Sequence, residues 1–155
     1  MPAIGSLSKS KRLKMRLKYM DSIETIVRGV CVKDNHLLVY QNTNFGYICL
    51  PGGHVEFWEP MTDALCREWN EEVGCDCGVG KFLNFFEDCF EGSDGKRRHH
   101  ITFLYEVFCD ALNVTEPLKQ QEPHIALRWM PLGEFRNCNF VSKAQQAFLC
   151  TYLKL

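Results

Sequence analysis

The 155-residue chain contains no run approaching the roughly 18 to 20 apolar residues needed to cross a bilayer. Its opening segment is basic and lacks the apolar centre of a secretory signal peptide. Nine cysteines are present, but no C-x-x-C and no Cys/His pairing at zinc-finger spacing. Only Cys75 and Cys77 stand close together. An odd number of scattered thiols without a secretory segment points to reduced cysteines and a cytoplasmic setting. Cys31 and Cys49 read as small apolar core residues. No internal repeat is visible. Net charge is nearly lacking too, at -1.

That balance hides an asymmetry. Residues 1–20 carry six basic and no acidic side chains, which leaves 12 basic against 19 acidic in residues 21–155. The body, at about -7, is poorly suited to broad non-specific nucleic-acid binding. Composition, at 46% hydrophobic, suits one compact domain over residues 21–155, preceded by a basic, flexible segment over residues 1–20. Met20 stands immediately before the first strand-like sequence, so whether residues 1–19 belong to the native protein is left open.

The β-branched stretch 23–32 and the stretch 36–40 predict two strands joined through Asp34-Asn35. Residues 45–50 (FGYICL) predict a third strand that delivers the chain to a Pro51-Gly52-Gly53 loop. Residues 81–88 and 99–109 predict two longer strands around a turn, EGSDGKRR. A polar loop over 113–123 leads to a last strand at 125–130. A final helix over 141–153 places Ala144, Phe148 and Leu149 on its apolar side. Strands with one helix in the middle and one at the end imply an α/β protein, layered as an α/β/α sandwich with a mixed β-sheet.

Residues 51–75 carry the chemistry. Met61, Leu65, Trp69 and Val73 form an apolar stripe on a helix that stops at Gly74. Glu68, Glu71 and Glu72 stand at i, i+3 and i+4, on one side of that helix. Three carboxylates so close repel one another. A hard divalent cation such as Mg2+ turns that repulsion into binding.

The spacing resembles the signature of the Nudix hydrolases: Gly53, five residues, Glu59, seven residues, Arg67-Glu68, then Glu71-Glu72 and Gly74. The departures are Trp69 and Cys75 at aliphatic positions and Trp58 where glycine is frequent. The resemblance implies Mg2+ (or Mn2+) held by Glu68 and Glu72, by Glu71 directly or through water, and by the Gly52 carbonyl. It also implies an Arg67–Glu59 pair that fixes the loop on the helix. The resemblance implies a general base from the carboxylates of this signature or from a later loop, where Glu122 is the first candidate and Glu116 the second. The expected reaction is attack of water on phosphorus in a nucleoside diphosphate linked to another moiety. A small-molecule nucleotide is the expected partner, with no membrane and with homodimerisation left open. Alternatives are a catalytically silent sensing module and an RNA 5′-end pyrophosphohydrolase that uses the basic segment.

Substrate contacts are expected from Arg98 and His100 within the basic run 97–100, because Arg suits phosphate. Arg28 on the first strand is a further candidate. Phe45 and Tyr47, which alternation places on one strand face, are candidates for stacking on a base. His54 and His124 read as isolated. Among Nudix branches, the sequence has Phe90 where many ADP-ribose-cleaving members carry proline, and no SQPW segment. RHHITFLYEV and RWMPL resemble the small, compact members.

Overall fold

A computed structural model describes residues 22–92, 94–119, 121 and 123–155; residues 1–20 and Glu122 lie outside the described residues. The elements in order are β1 (Ser22–Val30), β2 (Val32–Lys33), β3 (His36–Asn42), β4 (Ile48–Cys49), α1 (Met61–Val73), β5 (Gly78–Glu91), β6 (Arg97–Phe108), β7 (Ile125–Pro131), α2 (Leu132–Phe135) and α3 (Lys143–Tyr152). One sheet runs β1-β6-β5, with β1 parallel to β6 and β5 antiparallel to it. In the other, β3 pairs antiparallel with β2, β4 and β7. The strands are therefore mixed, as expected.

The layering shows in how β3 divides its side chains. Leu38 packs with Ala64, Leu65, Trp69 and Val73 of α1. Its neighbours Leu37 and Val39 pack instead with Phe135, Phe140 and Leu149. A strand covered on both faces is a continuous apolar run, which is why HLLVY shows no alternation. Helices on both sides make the sandwich.

Turn chemistry accounts for the details. Asp34 and Asn35 both take positive φ, 47° and 61°, and close the β2–β3 hairpin. The strand expected over 45–50 is reduced to Ile48–Cys49. The Asn42 carboxamide oxygen accepts from the backbone N–H of Asn44 and Phe45 (3.0 and 3.1 Å), and Gly46 turns at φ 72°. An Asx turn thus replaces the first half of the strand. Strands β5 and β6 run further into their hairpin than expected, pairing as far as Glu91 with Arg97.

At the C-terminus, α3 starts after Ser142, whose hydroxyl accepts from the Gln145 N–H. Ala144, expected on the apolar side, is exposed, while Gln145 and Gln146 are buried beside Leu149. The reason lies in the short helix α2, which no periodicity announced. Its last carbonyls need donors. Gln146 Nε2 donates to the carbonyls of Phe135, Cys138 and Arg136 (2.9, 3.1 and 3.3 Å).

Cys31 and Cys49 are buried, and burial pushes the Cys31 thiol up to about 12, far from a reactive thiolate. No helix among the described residues is long and apolar enough to cross a membrane.

Gly29 lets α1 sit close on β1. A Cβ there would stand 2.7 Å from Val107 Cγ2 and 2.9 Å from Trp69 Cζ3. Gly29→Ala is therefore expected to cost about 1–3 kcal/mol through overpacking, read as a lowered urea midpoint with unchanged slope.

Candidate active site

The glycine loop is hydrogen-bonded to β1 before it meets the helix. Val27 N–H donates to the Gly53 carbonyl (2.9 Å) and Gly29 N–H to the Pro51 carbonyl (2.8 Å). Gly52 sits at φ 127°, where a Cβ would meet the Val27 carbonyl oxygen at 2.2 Å, so only glycine fits. At Gly53 a Cβ would fall 2.3 Å from the Glu68 carboxylate. From the other side, Gly52 N–H donates to Glu72 Oε2 at 2.8 Å. Gly52, Gly53, Glu68 and Glu72 are thus brought together.

The three carboxylates differ in exposure. Glu72 is buried at 7%, the Glu68 side chain is 17% exposed and that of Glu71 55%. The helix ends where its sequence predicts: Gly74, at φ 81°, returns its N–H to the Asn70 carbonyl. These are hard oxygen donors at graded depth on one helix face, beside a backbone that admits no side chain. The donor set fits a Mg2+-class ion.

Arg67 locks the loop. Its Nε and Nη2 donate to the two oxygens of Glu59 (2.8 and 3.0 Å), Nη1 to Glu68 Oε1 (2.9 Å), and Nη2 also to the His54 carbonyl (3.0 Å). The bonds from Arg67, with the Glu56 N–H, hold Glu59 down from the usual 4.5 to about 2. Arg98 similarly holds Asp94 down to about 2. Both folded-state values lie below the unfolded ones. Their stabilisation is present above about 4.5 and is lost as pH falls towards about 2. Urea midpoints followed down this range are expected to decline, and less steeply in Glu59→Gln.

Trp58 is 92% exposed and takes φ 68°, a left-handed angle that glycine holds without strain. The loop nevertheless closes: Glu56 N–H donates to Glu59 Oε2 at 3.0 Å. Phe57 and Trp58 border an open pocket of about 510 Å3 that also includes Glu24, His54 and Met61.

The expected substrate residues already have partners within the protein. Arg28 Nη1 donates to the carbonyls of Leu50 and Gly52, so its charge braces the glycine loop from beneath. Phe45 lies in the turn before β4, yet its ring stacks parallel on Tyr47 with centroids 6.1 Å apart. Arg98 forks onto Asp94 (2.8 and 3.0 Å). Glu116 is exposed and accepts from Asn113 Nδ2 at 3.0 Å. Glu122 lies outside the described residues. Its neighbour Gln121 sits over the end of α1, where a Cβ on Gly74 would meet Gln121 Nε2 at 2.4 Å.

His54 is not isolated. Its Nε2 lies 2.8 Å from Glu24 Oε2, and His100 Nε2 reaches the same oxygen at 3.1 Å. The Ser22 hydroxyl first, then the histidines, hold Glu24 down to about 2 against the opposing effect of burial. Burial pulls His100 below its usual value, with Glu24 opposing. Glu24 escaped sequence reading because nothing local marks it. It meets His100 only through the parallel register of β1 on β6.

Fold and site together define an α/β/α domain organised around an acidic helix that meets a glycine loop. The NUDIX domain model matches residues 24–150, and the chain belongs to that family. It is similar to the mRNA-decapping protein D10 of fowlpox virus, with 32% identity over 139 residues, 88% of this chain and 58% of that protein. It is also similar to the ADP-ribose pyrophosphatase of Methanocaldococcus jannaschii, with 31% identity over 102 residues, 62% of this chain and 58% of that protein. The chain thus spans a little over half the length of these relatives. The solved MutT protein from Methanosarcina mazei Go1 shares the fold, with a TM-score of 0.64 at 21% identity over 86% of this chain and 95% of that one.

Proposed function

We propose that the chain is a divalent-metal-dependent pyrophosphohydrolase that cleaves a phosphoric anhydride in a nucleoside diphosphate linked to another moiety. One observation carries the reading: Glu68 and Glu72 converge on the Gly52-Gly53 backbone while Arg67 is locked to Glu59. The NUDIX match and the pyrophosphatase name of one relative support it.

Glu68, Glu71, Glu72 and the Gly52 carbonyl would hold Mg2+ or Mn2+. When bound, the ion supplies neutralisation of the diphosphate and a lowered pKa of water. The chain's own residues do the rest. Arg67 fixes the loop on the helix, and Arg28 fixes it on β1. A carboxylate on the 113–123 loop, Glu122 before Glu116, takes the proton of the attacking water. The stacked Phe45 and Tyr47 offer an apolar face to a base. Arg98 reaches a phosphate by exchanging Asp94 for it, while His100 stays on Glu24. The products are a nucleoside monophosphate and a phosphorylated second fragment, or pyrophosphate from a triphosphate.

A panel of nucleoside triphosphates, ADP-ribose, dinucleotides, sugar nucleotides and capped RNA, each with Mg2+ or Mn2+, tests this. Release of nucleoside monophosphate that vanishes in Glu72→Gln is the expected result. Silence from a folded, metal-binding protein favours the sensing module instead, although its mark would be loss of the carboxylates that are all present here. The decapping name of the fowlpox relative favours RNA 5′ ends as a second reading. That reading requires activity on capped RNA with steep salt dependence, lost when residues 1–19 are removed.

A further inference from the structure

One group of side chains outside the acidic helix has the composition of a transition-metal site. Glu24, His54 and His100 come from β1, the loop just after Gly53 and β6, and their ligand atoms all lie within 4.8 Å of one another. Sheet register brings them together: Glu24 is the β1 partner of His100, and Ile26 bridges to His54. Both imidazoles turn Nε2 towards Glu24 Oε2. The Ser22 hydroxyl engages the other oxygen, Oε1, at 2.5 Å, which fixes the carboxylate so that Oε2 faces the rings.

We propose that Glu24, His54 and His100 form a second cation site, separate from the carboxylates of α1 and taking a borderline ion of the Zn2+ class. Imidazole nitrogen suits Zn2+, whereas Mg2+ prefers oxygen and sheds its water reluctantly. Ligand atoms ~2.0–2.1 Å from a tetrahedral ion stand ~3.3–3.4 Å apart. The two contacts to Glu24, at 2.8 and 3.1 Å, must open by a few tenths of an ångström, and the two imidazole nitrogens, within 4.8 Å of one another, must come to the same spacing. The His54 side chain is 61% exposed and free to rotate that far. Arg98 Nε lies 3.9 Å from Glu24 Oε1, but its charge is shared with the closer Asp94.

Three protein ligands leave a coordination position, and Glu24 and His54 both line the open pocket beside Phe57 and Trp58. His54 also follows Gly53, and its carbonyl accepts from Arg67. A bound ion would tie the loop after Gly53 to β1 and β6 at once, so the protein should melt at a higher temperature with Zn2+ than with Mg2+ alone.

The test uses the full chain, stripped with a chelator, saturated with Mg2+ and titrated with Zn2+ against a chromogenic zinc indicator. Wild type should take up one equivalent more than His54→Ala/His100→Ala, and Glu72→Gln should retain that equivalent. X-ray absorption of wild type at one equivalent should show two imidazoles and oxygen without sulfur. A sulfur shell would place the ion on thiols, as at Cys75 and Cys109 with Sγ atoms 3.2 Å apart, and would overturn the proposal. So would equal uptake by the double-histidine variant, loss of the site in Glu72→Gln, or no uptake by wild type. The absorption spectrum decides even if the double variant fails to fold.

Discussion

Glu72→Gln is expected to lower kcat/KM by about 10²–10⁴-fold while leaving the fold intact, a loss of roughly 3–5 kcal/mol of transition-state stabilisation. Glu72 is the most buried of the three carboxylates, and Oε2 already accepts the Gly52 N–H. Glutamine has the same shape and keeps an acceptor for that N–H, so the loop has no reason to move. What disappears is a negative charge at the buried end of the cluster. With Mg2+, wild type should gain stability through binding to the folded state, and the variant should gain much less. Thermal unfolding with and without Mg2+, beside steady-state rates at several Mg2+ concentrations, separates these effects. An undiminished Mg2+ stabilisation with undiminished rate would remove Glu72 from the ligand set.

The parts of the fold legible in the sequence were those specified locally. Helix α1 announces itself by the four-residue spacing of Leu65, Trp69 and Val73 and by the left-handed Gly74. Apolar content predicts a strand over 45–50, but the Asn42 side chain, which accepts two N–H bonds, turns the backbone first. Ala144 stands exposed for the opposite reason. A buried glutamine serving the Phe135 carbonyl at the end of α2 and the Cys138 carbonyl just beyond it rotates the face of α3, and hydrophobic periodicity carries no record of that. The site divides in the same way. Glu68 and Glu72 are neighbours along one helix, so their meeting with the loop follows from spacing and a short connection. Glu24 and His100 are 76 residues apart and meet through a parallel strand pair. No local pattern fixes that register.

Trp69 links fold to site, and Trp69→Ala is the substitution expected to cost most stability. The ring is fully buried, lies against Gly29 of β1 and packs among Val27, Leu38, Leu65 and Val73. Removing it leaves a cavity that this frame of strands cannot collapse to fill, at a cost of about 3–5 kcal/mol. That is a large share of the roughly 5–15 kcal/mol that holds a domain of this kind together. At about 2–4 °C per kcal/mol for this size, the melting temperature should fall by about 6–20 °C. Glu68 precedes Trp69 on the helix and Glu72 follows three residues later, so a helix loosened from β1 also loosens the carboxylates from the glycine loop. Mg2+ should recover part of the lost melting temperature in Trp69→Ala, because the ion binds only the assembled site. In a double variant with Glu72→Gln that recovery should disappear. Equal recovery in both would mean that the ion stabilises the protein elsewhere, and would separate the helix's structural role from its proposed role in holding metal.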